Sequence, residues 1–291
     1  MSTANELPEP TTRTFRGDGG LELAGDVWGP ADGPLVVMLH GGGQTRHSWK
    51  SAGAKLAANG MRVVALDARG HGDSAWHPDG DYHRVTMARD LVAVIEELGG
   101  PATVVGASMG GMTGLEATTI AGPDVIGSLI LVDIVPRTET AGVARILDFM
   151  GGHRDGFATL DEAADAVAEY LPHRTRPRSP EGLRRNLRRR DDGRWYWHWD
   201  PAMLDARDMG EAERRTEDLE DATRGLRIPT LVLRGRMSDV VSDEGLQAFL
   251  ELAPHAEAVV LPGAAHTAAG DDNDAFTDAV YIFVTDRLPQ R

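Results

Sequence analysis

Short apolar runs rich in β-branched residues recur along the chain, and longer amphipathic segments separate them. Continuous apolar runs are typical of strands buried on both faces of a parallel sheet, and the intervening segments have helical spacing. The pattern predicts strands at residues 21–28, 35–39, 62–66, 103–105, 126–132, 230–234 and 258–261. It predicts helices at residues 48–58, 85–98, 110–120, 244–252 and 274–287. We therefore expect an α/β fold: a doubly wound, mostly parallel sheet with helices on both faces.

One long segment interrupts this alternation. From about residue 136 to residue 227 there is no convincing buried strand, and the sequence is charged and helical in pattern. A structureless loop of that length is implausible in a compact domain. We expect a helical cap at residues 136–227, inserted into a core domain formed by residues 1–135 and 228–291. The arginines between residues 184 and 190 are interpreted as the solvated face of a cap helix.

The charge and the residue usage exclude several classes of function. The 291 residues include 30 Lys and Arg against 45 Asp and Glu, so the formal net charge is −15. Such a chain has no general attraction to nucleic acid or to an anionic membrane. There is no Cys, and no His, Asp or Glu spacing indicates a metal, so we expect neither a metal nor another cofactor. No apolar run could span a bilayer and the N-terminus lacks a signal-peptide core, which favours a cytoplasmic protein. We expect its partner to be a small-molecule substrate. The sequence is compatible with assembly into a homo-oligomer.

Two glycine-containing motifs carry candidate chemistry. Residues 106–110 read Gly-Ala-Ser-Met-Gly, directly after an apolar strand and before a helical pattern, which is the context of a nucleophile elbow at Ser108. His40 is followed by three glycines after the strand at 35–39. Such a turn can direct backbone N–H groups at a developing oxyanion, and the predicted pair is Gly42 with Met109. An ordinary tight loop is the alternative for residues 40–43.

A base and an acid follow later strands. His266 stands just after the strand at 258–261, at the end of the sheet where open α/β folds build their sites. Asp239 follows the strand at 230–234, and an Asp there would orient the imidazole and stabilise its charged form. Asp133, after the strand at 126–132, is the rival acid, with a loop or helix cap as its structural interpretation.

Taken together, these motifs, the stretch at residues 67–74 (Asp-Ala-Arg-Gly-His-Gly-Asp-Ser) and the endings at residues 235–239 and 263–266 resemble the α/β-hydrolase superfamily. The resemblance covers nearly the whole chain and is strongest to the capped bacterial branch of esterases, cofactor-free haloperoxidases and epoxide hydrolases. It implies the α/β-hydrolase fold and a catalytic triad in the order Ser108, Asp239, His266, although some members place the acid where Asp133 stands. It also implies that Arg69, His71 and Asp73 hold the loop beneath the elbow.

The residue at the elbow narrows the chemistry that the resemblance implies. Epoxide hydrolases and haloalkane dehalogenases of this branch have Asp there, whereas a serine suits attack on an acyl carbon. We expect a serine hydrolase that cleaves a small carboxylic ester or lactone through an acyl-enzyme on Ser108. The alternatives are the same triad used for C–C bond hydrolysis, haloperoxidase-like perhydrolysis or acyl transfer, and a non-catalytic small-molecule receptor.

The aromatic cluster at residues 195–199 is the candidate substrate wall. In a strand, Trp195, Trp197 and Trp199 would share one face, with Tyr196 and His198 on the other. Trp197, His198 and Trp199 are predicted to line an apolar pocket for a medium or cyclic acyl group. The alternative is that the tryptophans anchor the cap to the core by burying area.

Overall fold

The computed structural model describes residues 7–171, 179–205, 211–262 and 274–286, with the backbone alone at residues 205 and 211–215. The strands are β1 (Thr11–Arg16), β2 (Glu22–Trp28), β3 (Leu35–Leu39), β4 (Arg62–Leu66), β5 (Ala102–Ala107), β6 (Ile126–Val132), β7 (Leu187–Arg189), β8 (Trp195–Trp197), β9 (Thr230–Gly235) and β10 (Glu257–Leu261). The helices are α1 (Lys50–Ala58), α2 (Arg84–Leu98), α3 (Met109–Ile120), α4 (Thr140–Gly151), α5 (Leu160–Tyr170), α6 (Ala202–Asp205), α7 (Glu211–Gly225), α8 (Asp243–Leu252) and α9 (Asp274–Thr285). No described helix is long and apolar enough to cross a membrane.

Within the described residues, eight strands form one sheet in the order β1-β2-β4-β3-β5-β6-β9-β10. β1 and β2 are antiparallel to their neighbours, and the strands from β4 to β10 in that order pair in parallel. The predicted mostly parallel α/β sheet is confirmed. β1 was not predicted, because its sequence is polar apart from Phe15, its one buried residue. Such exposure is typical of a strand at the edge of a sheet.

Consecutive residues of the central strands pack into two separate apolar layers. Val37 and Leu39 of β3 lie in one layer with the buried sides of α2, α3 and α8. Val36 and Met38 lie in the other, with α1 and α9. Because strand side chains alternate between faces, a strand covered on both faces needs apolar residues at every position. This is the origin of the continuous apolar runs in the sequence.

The segment between β6 and β9 divides into two parts. α4, α5, the β7–β8 hairpin and α6 share their own apolar cluster, which includes Met150 and Phe157. α7 instead contributes Leu219 and Ala222 to the main core layer. The first part therefore has an apolar cluster of its own, and that cluster also takes in Met87 of the core helix α2.

The arginine-rich stretch is not one helix, contrary to the sequence interpretation. A short 3-10 helix spans Pro180–Arg185, and β7 follows it, with Leu187 opposite Trp197 of β8. Leu187 is buried, Arg188 is half-buried and Arg189 is exposed, so burial falls along the strand away from Leu187. Packing against the tryptophan outweighs the helical pattern of the local sequence.

The loop at residues 67–74 is held by buried ion pairs at the carboxyl ends of the strands. Asp67 accepts hydrogen bonds from the backbone N–H groups of Arg46, at 2.7 Å, and Asp73, at 2.9 Å, and it also pairs with the Arg46 guanidinium. Arg69 binds both carboxylate oxygens of Asp90 in α2, at 2.6 and 2.8 Å. These contacts fix the loop between the sheet and α2.

Three buried imidazoles, those of His40, His71 and His198, lie side by side in the same region. Their ring centroids are 4.9 Å apart between the first two and 5.7 Å between the last two. Burial lowers the pKa of each ring: the pKa of His71 lies well below its usual range, and that of His198 is about 3. All three rings therefore favour the neutral form in the folded protein, and those of His71 and His198 stay neutral at neutral and mildly acidic pH.

We expect the free energy of unfolding to decrease as the pH falls from about 6.5 to about 5. The unfolded chain protonates these histidines around an ordinary pKa of about 6.5, whereas in the folded protein burial disfavours protonation of all three rings. The unfolded state then binds more protons, and each ring lowers stability by up to about 1.4 kcal/mol per pH unit below that value.

Urea denaturation between pH 7.5 and pH 5 measures this slope. His71→Gln should make the slope shallower, because it removes one ring that takes up a proton on unfolding. Equal slopes for the wild type and His71→Gln would contradict the assignment.

Candidate active site

The chain turns sharply from strand to helix at Ser108, between β5 and α3. Ser108 has φ 46° and ψ −112°, a conformation that L side chains rarely adopt and that costs on the order of 1–3 kcal/mol. Its N–H donates to the Val132 carbonyl at 3.1 Å, and its own carbonyl accepts from the Met112 N–H at 3.0 Å. The surroundings thus hold a partly exposed serine in a strained position at the carboxyl end of the sheet.

The glycines around Ser108 permit an unusually close contact of strand and helix. A Cβ at Gly106 would lie 2.4 Å from the Gly110 carbonyl oxygen, and a Cβ at Gly110 would lie 2.6 Å from that of Leu39. Any side chain at either position would force the backbones apart. The Gly-x-Ser-x-Gly spacing is therefore required by packing.

The loop at residues 40–43 lies beside the serine. A Cβ at Gly41 would be 3.5 Å from the Ser108 Cβ. The Gln44 side chain accepts from the Gly41 N–H at 3.0 Å, while the Gln44 N–H donates to the Gly41 carbonyl at 3.1 Å. The predicted oxyanion donors belong to two different segments: Met109 follows Ser108 and begins α3, and Gly42 follows Gly41 in this loop.

Asp133 follows β6 and is completely buried. Its backbone has φ 50°, and its carboxylate accepts from the Gly235 N–H at 2.9 Å and from the Ser238 hydroxyl at 2.6 Å. The Ser238 Oγ itself accepts from the N–H groups of Val240, at 3.2 Å, and Val241, at 3.0 Å. Because those donors occupy its lone pairs, the hydroxyl directs its single proton at Asp133. The carboxylate is thereby held in one orientation.

Asp239 lies in a different environment. Its carboxylate pairs with Arg145 of α4, and the two side chains are 37% and 54% exposed. The predicted base, His266, lies outside the described residues. The triad of Ser108, Asp239 and His266 therefore stays a prediction, with two carboxylates of unlike surroundings as candidates for the acid.

Two cap tryptophans stack near the loop at residues 40–43. The Trp199 ring reaches 3.4 Å from the position of a Cβ on Gly43, and its Nε1 donates to the Met150 carbonyl at 3.3 Å. Trp197 stacks on Trp199 with centroids 4.9 Å apart and planes inclined by 12°. Both rings are buried, and Trp197 Nε1 has no hydrogen-bond partner in the part of the chain that the structure describes. Trp199 adjoins the loop directly, whereas Trp197 contacts it through Trp199.

His198 uses both ring nitrogens on backbone groups. Its Nδ1 accepts from the Gly72 N–H at 2.8 Å, and its Nε2 lies 3.3 Å from the Gly43 carbonyl oxygen. The residue therefore joins two loops of the core to the insertion.

Three further residues of the site were not singled out from the sequence. Met150 of α4 places its sulfur 3.2 Å from the position of a Cβ on Gly42. Ser238 orients Asp133, and Arg46 secures Asp67. Ser238 lies within the stretch at residues 235–239 that carried the family resemblance, so its position was a usable signal. Met150 and Arg46 belong to no motif.

Comparison with known proteins agrees with this geometry. A family model described as alpha/beta hydrolase fold matches residues 34–272. The chain is 31% identical over 261 residues to esterase Rv0045c of Mycobacterium tuberculosis, covering 87% of this chain and 83% of that protein. The crystal structure of that esterase superposes with a TM-score of 0.76 at 27% identity, covering 96% of this chain and 93% of its own.

A mammalian relative leads to the same family. The sn-1-specific diacylglycerol lipase ABHD11 of Mus musculus is 30% identical over 271 residues, covering 88% of this chain and 82% of that protein. The family match spans most of the described sheet, including the strained serine turn and the glycine loop beside it. The chain therefore belongs to the alpha/beta hydrolase family of enzymes.

Proposed function

We propose that this protein hydrolyses a small carboxylic ester or lactone through an acyl-enzyme on Ser108. The observation that carries the proposal is the strained backbone of the partly exposed Ser108 beside a glycine loop. Strain of this kind persists only where the surrounding structure imposes it, and it concentrates at reactive groups. The esterase and lipase relatives support ester chemistry.

The proposed reaction has two halves. Neutral His266 accepts the Ser108 proton as Oγ attacks the acyl carbon, and the N–H groups of Gly42 and Met109 bind the oxyanion of the tetrahedral intermediate. The imidazolium then protonates the leaving alcohol, and an ester of Ser108 remains. Water attacks that ester, giving its proton to His266, and collapse of the second intermediate releases the acid and restores the serine.

We assign the triad acid to Asp133 in preference to Asp239. β5 and β6 are neighbours, with Ala107 paired to Val132, so Asp133 lies just past the strand beside the elbow. Its buried carboxylate would act on the imidazolium in a medium of low dielectric, where the interaction is strong. The negative charge of the Asp239 carboxylate is paired with Arg145 and partly exposed to solvent, which weakens its effect on any other charge.

Apolar cap side chains support an uncharged acyl group. Met150 and Trp199 both lie against the glycine loop that would bind the oxyanion. Ligand pockets commonly combine apolar walls with a few placed polar groups. These contacts favour a medium or cyclic hydrocarbon acyl chain over a charged one.

Ser108→Ala should lower kcat by about 10⁴-fold or more, since the nucleophile is lost while the oxyanion hole retains some rate. Hydrolysis of p-nitrophenyl butyrate and labelling by a fluorophosphonate probe measure the loss. Ser128→Ala is the matched control, because that hydroxyl pairs with Thr103 across β5 and β6, and it should leave both readouts unchanged. Equal labelling of Ser108→Ala and the wild type would refute the assignment.

Asp133→Asn should lower kcat by about 10³- to 10⁴-fold, since an amide cannot stabilise the imidazolium and can favour the wrong tautomer. Asn tolerates the positive φ at this position, so the backbone should be kept. Asp239→Asn should cost less than about tenfold, because its partner is Arg145. Steady-state kinetics with thermal melts of both variants separate the effects, and the opposite ranking would return the role to Asp239.

Trp199→Ala should shift the ratio of kcat/KM between octanoyl and acetyl esters by about tenfold in favour of the longer chain, as space opens beside Gly43. Trp197→Ala should mainly lower the melting temperature, because Trp197 packs against cap aromatics and reaches the loop only through Trp199. A series of p-nitrophenyl esters gives the ranking. If Trp199→Ala melts earlier with its acyl ranking unchanged, the tryptophan is scaffold.

A further inference from the structure

Imidazoles face both polar backbone groups of Gly43, the residue after the proposed oxyanion donor. The Gly43 N–H donates to His71 Nε2 at 3.2 Å, and the Gly43 carbonyl faces His198 Nε2 at 3.3 Å. Gly43 has φ +72°, so it occupies the left-handed region that suits glycine. Since glycine has no side chain to restrict its own backbone, external partners decide how the loop is oriented.

The hydrogen bonds determine which nitrogen carries the proton in each ring. Gly72 donates to His198 Nδ1 at 2.8 Å, so the proton of the neutral ring sits on Nε2 and is donated to Gly43. His71 accepts at Nε2, so its proton sits on Nδ1, which lies 3.3 Å from the Arg69 carbonyl. Every nitrogen of these two rings is committed to the backbone, which leaves neither ring available as a proton acceptor for substrate.

Fixing the orientation of the Gly43 carbonyl also restricts the orientation of the Gly42 N–H, because peptide units are planar. A peptide unit is rigid, so fixing the Gly43 carbonyl also fixes the Gln44 N–H that shares its plane. That N–H donates to the Gly41 carbonyl at 3.1 Å, and His40 Nδ1 lies 2.8 Å from the same oxygen. The Gly41 carbonyl and the Gly42 N–H belong to the same planar peptide unit. The hydrogen bonds that fix this carbonyl therefore also fix the direction of the Gly42 N–H.

His198 alone among these rings comes from the insertion between β6 and β9. Its sequence neighbour Trp199 packs on Gly43, and Arg188 of β7 donates to the Gly72 carbonyl at 2.8 Å and to Asp73 at 2.7 Å. The charged groups near the His198 ring are Arg188 and Asp73, and the imidazole of His40 is also a neighbour. The cap is thereby fastened to both loops that surround the proposed oxyanion hole.

We propose that His198 is a positioning residue supplied by the cap, and that it aims the Gly42 N–H at the oxyanion by holding the Gly43 carbonyl. The proposal rests on the proposed function, because it requires Gly42 to be an oxyanion donor. It extends that function by giving the cap a part in stabilising the oxyanion. Both ring nitrogens of His198 face backbone groups, so its proposed role is indirect. Its contribution belongs to the transition state, because the oxyanion forms only there.

Steady-state kinetics of two His198 variants test the proposal. His198→Leu removes the donor and should lower kcat by about 30- to 100-fold with KM within about twofold, somewhat less than the loss of an oxyanion donor itself. His198→Gln keeps an N–H donor and a carbonyl acceptor and should recover most of the rate. Asp192→Asn is the control: it alters contacts of the same hairpin, to Tyr196 and Arg194, and should leave kcat unchanged.

A transition-state analogue gives a second readout. A trifluoromethyl ketone adds to the serine and presents an oxyanion, so its inhibition constant should rise in His198→Leu by the factor that kcat/KM falls. The matching methyl ketone should bind both forms equally. A fall of kcat in both His198→Leu and His198→Gln, with no change in trifluoromethyl ketone affinity, would overturn the proposal.

Amide hydrogen exchange over residues 40–45 tests the clamp without relying on activity. Exchange should quicken there in His198→Leu and stay at the wild-type rate in Asp192→Asn. Unchanged exchange at 40–45, or an equal rise along the whole chain, would overturn the proposal. Wild-type protein that cleaves no ester and labels no more than Ser108→Ala would instead refute the proposed function, while the exchange result still decides on His198.

Discussion

The close contact between β5 and α3 at Ser108 is the constraint on which the rest of the site depends. The serine backbone is held in a conformation that costs on the order of 1–3 kcal/mol, and the apolar layers around the central strands offset that cost. Gly106 and Gly110 allow the contact because they have no Cβ. With the serine raised above the sheet, partners must reach it from the loops at the carboxyl ends of the strands and from the insertion.

Those loops are polar, buried and extensively paired. Asp67 with Arg46, and Arg69 with Asp90, fix the loop at residues 67–74, and neutral imidazoles join it to the glycine loop. A buried donor or acceptor left without a partner costs about 1–3 kcal/mol, so each loop has few alternatives to its observed path. Burial also disfavours the charged form of these histidines, so they hold the loop through hydrogen bonds of neutral rings.

The insertion serves the core as well as the site. α7 completes an apolar layer of the main domain, whereas Met150, His198 and Trp199 meet the glycine loop. The wall proposed for the acyl group and the support proposed for the oxyanion loop are therefore neighbours in sequence and in space. A substrate that moves the aromatic pair would disturb the loop as well, which links acyl recognition to rate in one small region.

The sequence by itself determined the sheet, most of its helices and the setting of Ser108, because strand burial and the Gly-x-Ser-x-Gly turn depend on residues close together in the chain. It missed β1, which buries one residue, and the hairpin that Trp197 stabilises. Only the tertiary structure decided that Asp133 is buried and oriented by Ser238, that Asp239 pairs with Arg145, and that His198 reaches Gly43. These contacts join residues about 90 to 155 positions apart, and the packing of separate elements that brings them together leaves no periodic trace in the local sequence.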